Sequence, residues 1–116
     1  MMYQFSYADI LADDADDARA RERQALDQAV ALLQHAGERA AGSPEATKAL
    51  DFTNDLWAFF IRDLAHPGNA MPDELRANLM SIGLGVMAEC RRIALGESRD
   101  FASVAEICGI IRDGLN

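Results

Sequence analysis

Apolar residues recur at intervals of three and four along most of the chain, and this spacing places them on one face of an α-helix. The pattern predicts four helices, at residues 14–41, 43–65, 72–95 and 100–113. Short connections containing glycine or proline separate them, so successive helices are expected to pack against each other. The sequence therefore predicts an all-α fold, a compact four-helix bundle formed by residues 13–115.

Capping residues support these helix boundaries. Ser43 followed by Pro44 is typical of a helix start, because the hydroxyl group accepts a hydrogen bond from the first turn and proline fits the first helical position. Asp100 is predicted to cap the last helix in the same way. Gly42 and Gly96 are predicted to end the first and third helices.

The third predicted helix has the widest apolar surface. A helix this hydrophobic is expected to lie at the centre of the bundle, with neighbours on several sides. Gly83 and Gly85 each cost about 1 kcal/mol relative to alanine inside a helix. They indicate either the close approach of another helix or a bend. The apolar stripe consists of Leu75, Leu79, Ile82, Val86, Cys90 and Ile93.

Residues 1–12 precede the bundle and carry the aromatic side chains Tyr3, Phe5 and Tyr7. Their alternation is typical of an extended arm. Ser6 followed by a carboxylate three residues later instead resembles a capping box that opens a short helix. Both interpretations stay open, as does the question of whether the aromatic side chains pack on the bundle or on a partner.

Four aspartates follow this N-terminal segment, and their position suits the positive end of a helix dipole. A calcium-binding EF-hand is excluded, because that loop needs glycine at its sixth position and glutamate at its twelfth. Neither requirement is met when the count starts at either of the first two aspartates. The group consists of Asp13, Asp14, Asp16 and Asp17.

Composition narrows the function classes. The chain has 116 residues, of which 50% are hydrophobic and 26% charged, and this suits one globular domain, residues 1–116. Its net charge of −8 argues against direct nucleic-acid binding, which depends on basic side chains. The sequence contains neither a signal peptide nor an apolar run that could span a bilayer. We therefore expect a cytoplasmic protein without membrane insertion.

Candidate catalytic chemistry is sparse. Of the two histidines, His35 has no carboxylate three residues before it, and His66 forms one Asp-x-x-His pair with Asp63. A metal site on facing helices needs a second such pair, so neither a metal nor a cofactor is expected. Cys90 and Cys108 fall on apolar stripes, where they are expected to be buried free thiols. No serine has the context of a nucleophile elbow. The sequence therefore predicts a protein that is not an enzyme.

The remaining candidates are surfaces that bind other proteins. Trp57 and Phe60 share a helix face and are assigned to the core, whereas Phe59 points well away from Trp57 and is expected at the edge of the core or exposed. A hydrophobic groove for a partner helix is the functional alternative to core packing. Exposed apolar side chains in the third helix would support self-association, and the candidates are Met80, Leu84 and Met87.

Several stretches that carry a family resemblance follow each other along nearly the whole chain: Met2–Tyr7, Glu22–Leu26, Leu56–Trp57, Asp63–Ala70, Leu75–Leu84 and Ile110–Leu115. Together they resemble the bacterial FlaF family. The resemblance implies a role in flagellum assembly, beside or against FlbT, a regulator of flagellin messenger RNA translation. It also implies chaperone-like binding of flagellin for secretion, and it carries no catalytic residues.

The resemblance and the residue patterns together make flagellin the first expected partner, because its helical termini stay unpaired until assembly. Apolar contact is expected from Tyr3, Phe5, Tyr7 and Phe59, and the four aspartates are expected to steer the partner. One alternative is a post-transcriptional regulator that acts through FlbT or the flagellin transcript. Another is a structural dimeric adaptor.

Overall fold

The computed structural model describes residues 7–115, with side chains described from residue 17 onward. This part of the chain contains four helices and no strand, which confirms the predicted all-α class. The helices are α1 (Tyr7–Gly37), α2 (Pro44–Ala65), α3 (Asp73–Ala94) and α4 (Phe101–Asp113).

The four helices form an up-down-up-down bundle in which one of the four seams is only loosely closed. α1 packs against both α2 and α4, and α2 also packs against α3, whereas α3 touches α4 only lightly. The antiparallel α1–α4 seam is held at one end by polar contacts. Arg112 binds Asp27 at 2.8 Å, and Arg23 donates to the carbonyl oxygen of Leu115 at 2.7 Å.

Trp57 lies at the centre of the shared core and is only 1% exposed. Its indole N–H donates to the Cys108 sulfur at 3.5 Å, which joins α2 to α4. The Phe60 ring meets the indole edge-on, with 5.5 Å between the ring centroids. Both aromatic residues therefore belong to the core, as predicted. Other fully buried side chains come from the remaining helices and include Leu26, Leu33, Val86 and Val104.

Gly83 allows α3 to lie close against α2. A methyl group at this position would lie 2.7 Å from Cε3 of Trp57 and 3.1 Å from Cδ1 of Ile61. At Gly85 the same methyl group would meet no atom within 4 Å. The helix runs without interruption through both glycines. Close approach is therefore the reason for glycine at position 83.

The two predicted N-terminal caps are confirmed. Ser43 Oγ accepts a hydrogen bond from the backbone N–H of Ala46 at 3.1 Å, with Pro44 at the first helical position of α2. The Asp100 carboxylate accepts from the backbone N–H of Ser103 at 3.1 Å. Each contact satisfies a backbone donor that has no partner inside the helix.

Gly96 ends α3, as predicted, through a Schellman motif. Its φ of +78° lies in the left-handed region that side chains disfavour. Its N–H donates to the Ile93 carbonyl oxygen at 3.0 Å, and the N–H of Glu97 donates to the Arg92 carbonyl oxygen at 2.9 Å.

The predicted boundaries of the first helix were wrong at both ends. α1 begins at Tyr7, so residues 7–12 continue the long helix and form neither a separate arm nor a short helix. α1 ends at Gly37 instead of residue 41, because its apolar stripe stops there and turns follow. The four aspartates consequently lie inside α1, where they do not face the positive end of its dipole.

The prediction that α3 is central was also wrong. Val86, Cys90 and Ile93 are buried, but Leu75 is 45% exposed and Ile82 is 38% exposed. α3 packs along one neighbour, α2, and is only lightly contacted by α4. Its apolar stripe therefore passes from the core at one end of the helix to the surface at the other.

Candidate functional site

The loose seam between α3 and α4 forms an apolar groove, which we call the α3–α4 groove. It contains a cavity of about 50 Å³. Side chains of α2 form its floor, the start of α3 and the preceding loop form one wall, and the end of α4 forms the other. The apolar lining residues are Trp57, Phe60, Leu64, Met71, Leu79, Ile111 and Leu115.

The α3 wall of the groove extends the apolar stripe of the core. Leu75 lies one turn before Leu79 and Ile82 lies one turn after it, so all three share a helix face. The two flanking side chains keep 45% and 38% of their surface exposed. Apolar side chains exposed next to a groove of this kind are a common feature of binding sites.

The α4 wall is apolar as well. Ile107 and Ile111 lie four residues apart on one face of α4, and both are partly buried against the core. α4 has 13 residues and α3 has 22. Since a helix rises about 1.5 Å per residue, α4 is too short to cover the whole of α3. Within the described residues, the first turns of α3 are left without a neighbouring helix on that side.

Two carboxylates from different helices stand at one end of the groove, and we call them the acidic end. Glu22 of α1 and Asp63 of α2 line the same cavity as Trp57 and Phe60. Burial raises the pKa of Glu22, and the negative charge of Asp63 raises this pKa further, while Arg19 and Arg21 act in the opposite direction. The groove is thus apolar along its walls and anionic at one end.

Comparison with known proteins decides the family of this chain. The family model for the flagellar protein FlaF matches residues 3–115, which include the whole α3–α4 groove. The chain belongs to the FlaF family. No curated protein matches it, and no solved structure matches it. The resemblance found in the sequence is thereby confirmed, and with it a flagellar role at the level of the family.

Phe59, a predicted contact residue of this FlaF-family chain, is 54% exposed. It lies on the side of α2 that faces α1, beside a shallow depression of about 290 Å³ that Ala25 and Leu56 also line. Glu22 and Phe60 line both this depression and the α3–α4 groove. Phe59 is therefore a surface residue close to, but outside, the groove.

A second apolar surface lies on the outer face of α2 and α3. Leu84 is 58% exposed, and it lines an open depression of about 450 Å³ together with Met87, Ile61 and Ala58. Met80 is partly buried. Of the three side chains proposed for self-association, Met80, Leu84 and Met87, it is thus Leu84 that is largely exposed.

The other predicted contact residues fall near or beyond the limit of the described side chains. Tyr3 and Phe5 lie outside the described residues. Tyr7 begins α1, and the first three aspartates, Asp13, Asp14 and Asp16, lie inside this helix, but their side chains are not among those described. Asp17 is exposed, five residues before Glu22 and therefore about 7.5 Å along the helix axis from the acidic end.

Sequence reasoning missed the α3–α4 groove, because its wall residues have the same helical spacing as core residues. Leu75, Leu79 and Ile82 were assigned to the centre of the bundle. The unequal lengths of the third and fourth predicted helices were the available signal. A short last helix cannot bury the full stripe of a longer neighbour.

The described side chains offer little for covalent or metal chemistry. Burial raises the pKa of the Cys90 thiol to about 11, with smaller contributions from Cys108 and Glu89, and burial also raises the pKa of Cys108. A thiol with a raised pKa is a weak nucleophile at neutral pH. Among the side chains described, no three potential metal ligands of the His, Cys, Asp or Glu type come together. Within residues 7–115, none of the helices has the length and hydropathy needed to cross a bilayer.

Proposed function

We propose that this FlaF-family chain is a non-enzymatic flagellum assembly factor of the cytoplasm that binds flagellin as a secretion chaperone and thereby regulates flagellin synthesis. Membership of the FlaF family supports the flagellar role. The observation that carries the binding proposal is the α3–α4 groove, together with the exposed side chains of Leu75 and Ile82, which share a helix face with the lining residue Leu79.

The length of the apolar stripe on the exposed part of α3 suits an amphipathic helix. Leu75 and Ile82 lie seven positions apart, with Leu79 between them, or about 10 Å along the axis, which matches two turns of a partner helix. Such a helix would present apolar side chains at intervals of three and four, the usual mode of helix-in-groove recognition. A leucine or isoleucine gains about 1.5–3 kcal/mol on complete burial, so covering two half-exposed side chains contributes on the order of 2 kcal/mol.

The first test is a calorimetric titration of purified flagellin monomer into this protein. We expect one-to-one binding with a negative change in heat capacity, because apolar surface is buried. Replacing Leu75 by Glu should lower the affinity at least roughly tenfold, since a charge would enter the apolar contact. Leu84→Glu is the matched control, because Leu84 lies on the opposite face of the same helix.

Equal affinities for Leu75→Glu and the wild-type protein would refute the groove as the flagellin site. No heat at any of several temperatures would argue against flagellin itself, and FlbT would then be the partner to test. If Leu84→Glu alone changed the behaviour of the protein, by reducing its molecular mass in light scattering, the dimeric-adaptor alternative would be favoured.

The N-terminal aromatic residues and the aspartates are proposed as secondary contacts. Tyr3, Phe5 and Tyr7 precede or begin α1, whose later turns border the groove, and Phe59 is exposed nearby. Replacing the three N-terminal aromatic residues together by Ala should lower flagellin affinity and leave the melting temperature within a few degrees. Unchanged affinity would remove them from the binding surface. The aspartates at 13, 14, 16 and 17 should act mainly on the association rate.

An RNA-binding role for the alternative regulator has less physical support. Among the described side chains, three arginines already contact carboxylates: Arg76 pairs with Asp73, Arg92 with Glu89, and Arg112 with Asp27. A mobility shift of the flagellin transcript that weakens steeply with salt would support direct RNA binding. No shift at low salt would leave protein partners as the route of regulation.

A further inference from the structure

We infer that the α3–α4 groove holds its partner helix in one register, with a lysine or arginine of that helix placed between Glu22 and Asp63. This inference rests on the proposed function, because it describes how the same groove selects its occupant. It identifies the partner by its chemistry: an amphipathic helix whose apolar stripe is followed, at one end, by a basic side chain.

The two carboxylates of the acidic end belong to the groove and are carried by two helices of the bundle. Glu22 projects from α1 and Asp63 from α2, and both line the cavity that Trp57, Phe60 and Leu79 also line. Because two packed helices carry them, their backbone positions on either side of the cavity are set before any partner arrives.

In the protein without a partner, the charged form of Glu22 is electrostatically disfavoured. Partial burial of Glu22 and the like charge of Asp63 both raise the pKa of Glu22. Arg19 and Arg21, on the same helix as Glu22, lower its pKa, but the net shift of this pKa remains upward. A cation brought by a partner would interact favourably with both carboxylates in surroundings of lowered dielectric constant.

Toward the opposite end, the described carboxylate of α3, Glu89, is already engaged by Arg92 and Ser98. There the α3 stripe continues into Val86, Cys90 and Ile93, which are buried in the core. A partner helix therefore meets an apolar closed end on one side and two carboxylates on the other. The apolar walls supply affinity in either direction, whereas the carboxylates distinguish the two directions and fix the register.

The test compares stability with affinity in the double variant Glu22→Gln, Asp63→Asn, using purified flagellin monomer as the probe. Removing the like charges should raise the melting temperature of the free protein. The same variant should bind flagellin about tenfold more weakly, the fold-change expected for losing a partly desolvated charge contact. Asp55→Asn is the matched control, because Asp55 is an exposed carboxylate on α2 outside the groove, and it should leave the affinity unchanged.

Salt provides a second readout that a purely structural role would not change. The affinity of the wild-type protein should fall with increasing ionic strength, and the double variant should lose most of this dependence. A higher melting temperature combined with weaker and less salt-dependent binding would support the inference.

Three outcomes would overturn it. If the double variant bound flagellin as tightly as the wild-type protein while Leu75→Glu bound weakly, the acidic end would have no role, although the groove would remain the flagellin site. If the wild-type protein did not bind flagellin, the proposed function would fail and the inference with it. If the charge variants instead changed the molecular mass in light scattering, the occupant would be a second copy of this chain.

Discussion

Replacing Gly83 by Ala should destabilise the bundle, although the same change usually stabilises a helix. The added methyl carbon would lie 2.7 Å from Cε3 of Trp57, closer than van der Waals contact allows. The indole has little freedom to move, because it is 1% exposed, hydrogen-bonded to Cys108 and packed edge-on against Phe60. The clash must therefore be relieved by moving α3 away from α2.

The magnitude follows from two opposing contributions. Alanine gains about 1 kcal/mol over glycine in a helix interior. Overpacking a well-filled core costs about 1–3 kcal/mol. The net change for Gly83→Ala is a loss of about 0–2 kcal/mol of unfolding free energy, or up to about 8 °C in melting temperature for a domain of this size.

Gly85→Ala is the matched control, because it lies two residues away in the same helix and its methyl group would meet no atom within 4 Å. It should gain about 1 kcal/mol. Urea unfolding, followed by the fluorescence of Trp57 and by circular dichroism, measures both variants. If Gly83→Ala proved as stable as Gly85→Ala, the close approach of α3 to α2 at position 83 would be wrong.

Other predictions concern the helix ends and the buried thiols. Gly96→Ala should lower the unfolding free energy by about 1–2 kcal/mol in urea titrations, because only backbone strain at positive φ opposes the side chain. Cys90 should react with a thiol reagent only as fast as the protein opens, since a pKa of about 11 leaves roughly one thiolate in a thousand at pH 8; rapid labelling of the native state would contradict its burial. The hydrogen bonds from Ser103 lower the pKa of Asp100, so their stabilisation is present above the carboxyl group's unfolded pKa and is lost as the pH falls through the folded value. Asp100→Asn should therefore show a smaller drop in melting temperature on acidification than the wild-type protein, and an equal drop would assign the acid sensitivity to other carboxylates.

The sequence was sufficient to predict the features that depend on local chemistry. Ser43, Asp100 and Gly96 act through their own backbone neighbourhood, so their roles could be read without knowing the tertiary structure. The same holds for Trp57 and Phe60, whose shared helix face follows from helical geometry alone.

Features that depend on which helices become neighbours could not be predicted in this way. Leu75 and Val86 carry the same apolar signal and lie on the same stripe, yet one is exposed and the other buried. The difference arises because α4 is shorter than α3 and contacts it only lightly. Glu22 and Asp63 are 41 residues apart, and only the antiparallel packing of α1 and α2 brings them to one end of the groove.

If the proposed partner fills the loosely closed seam between α3 and α4, the lifetime of this chain would depend on the supply of that partner. A helix that filled the seam would bind the folded bundle and not the unfolded chain, and at a free concentration one hundred times its Kd it would add about 2.7 kcal/mol to the unfolding free energy. Because proteases act on transiently opened states, occupied molecules would outlast empty ones. Export of the partner would then leave more bundles empty and raise their rate of degradation. The concentration of this chain would therefore fall as the concentration of unexported partner falls.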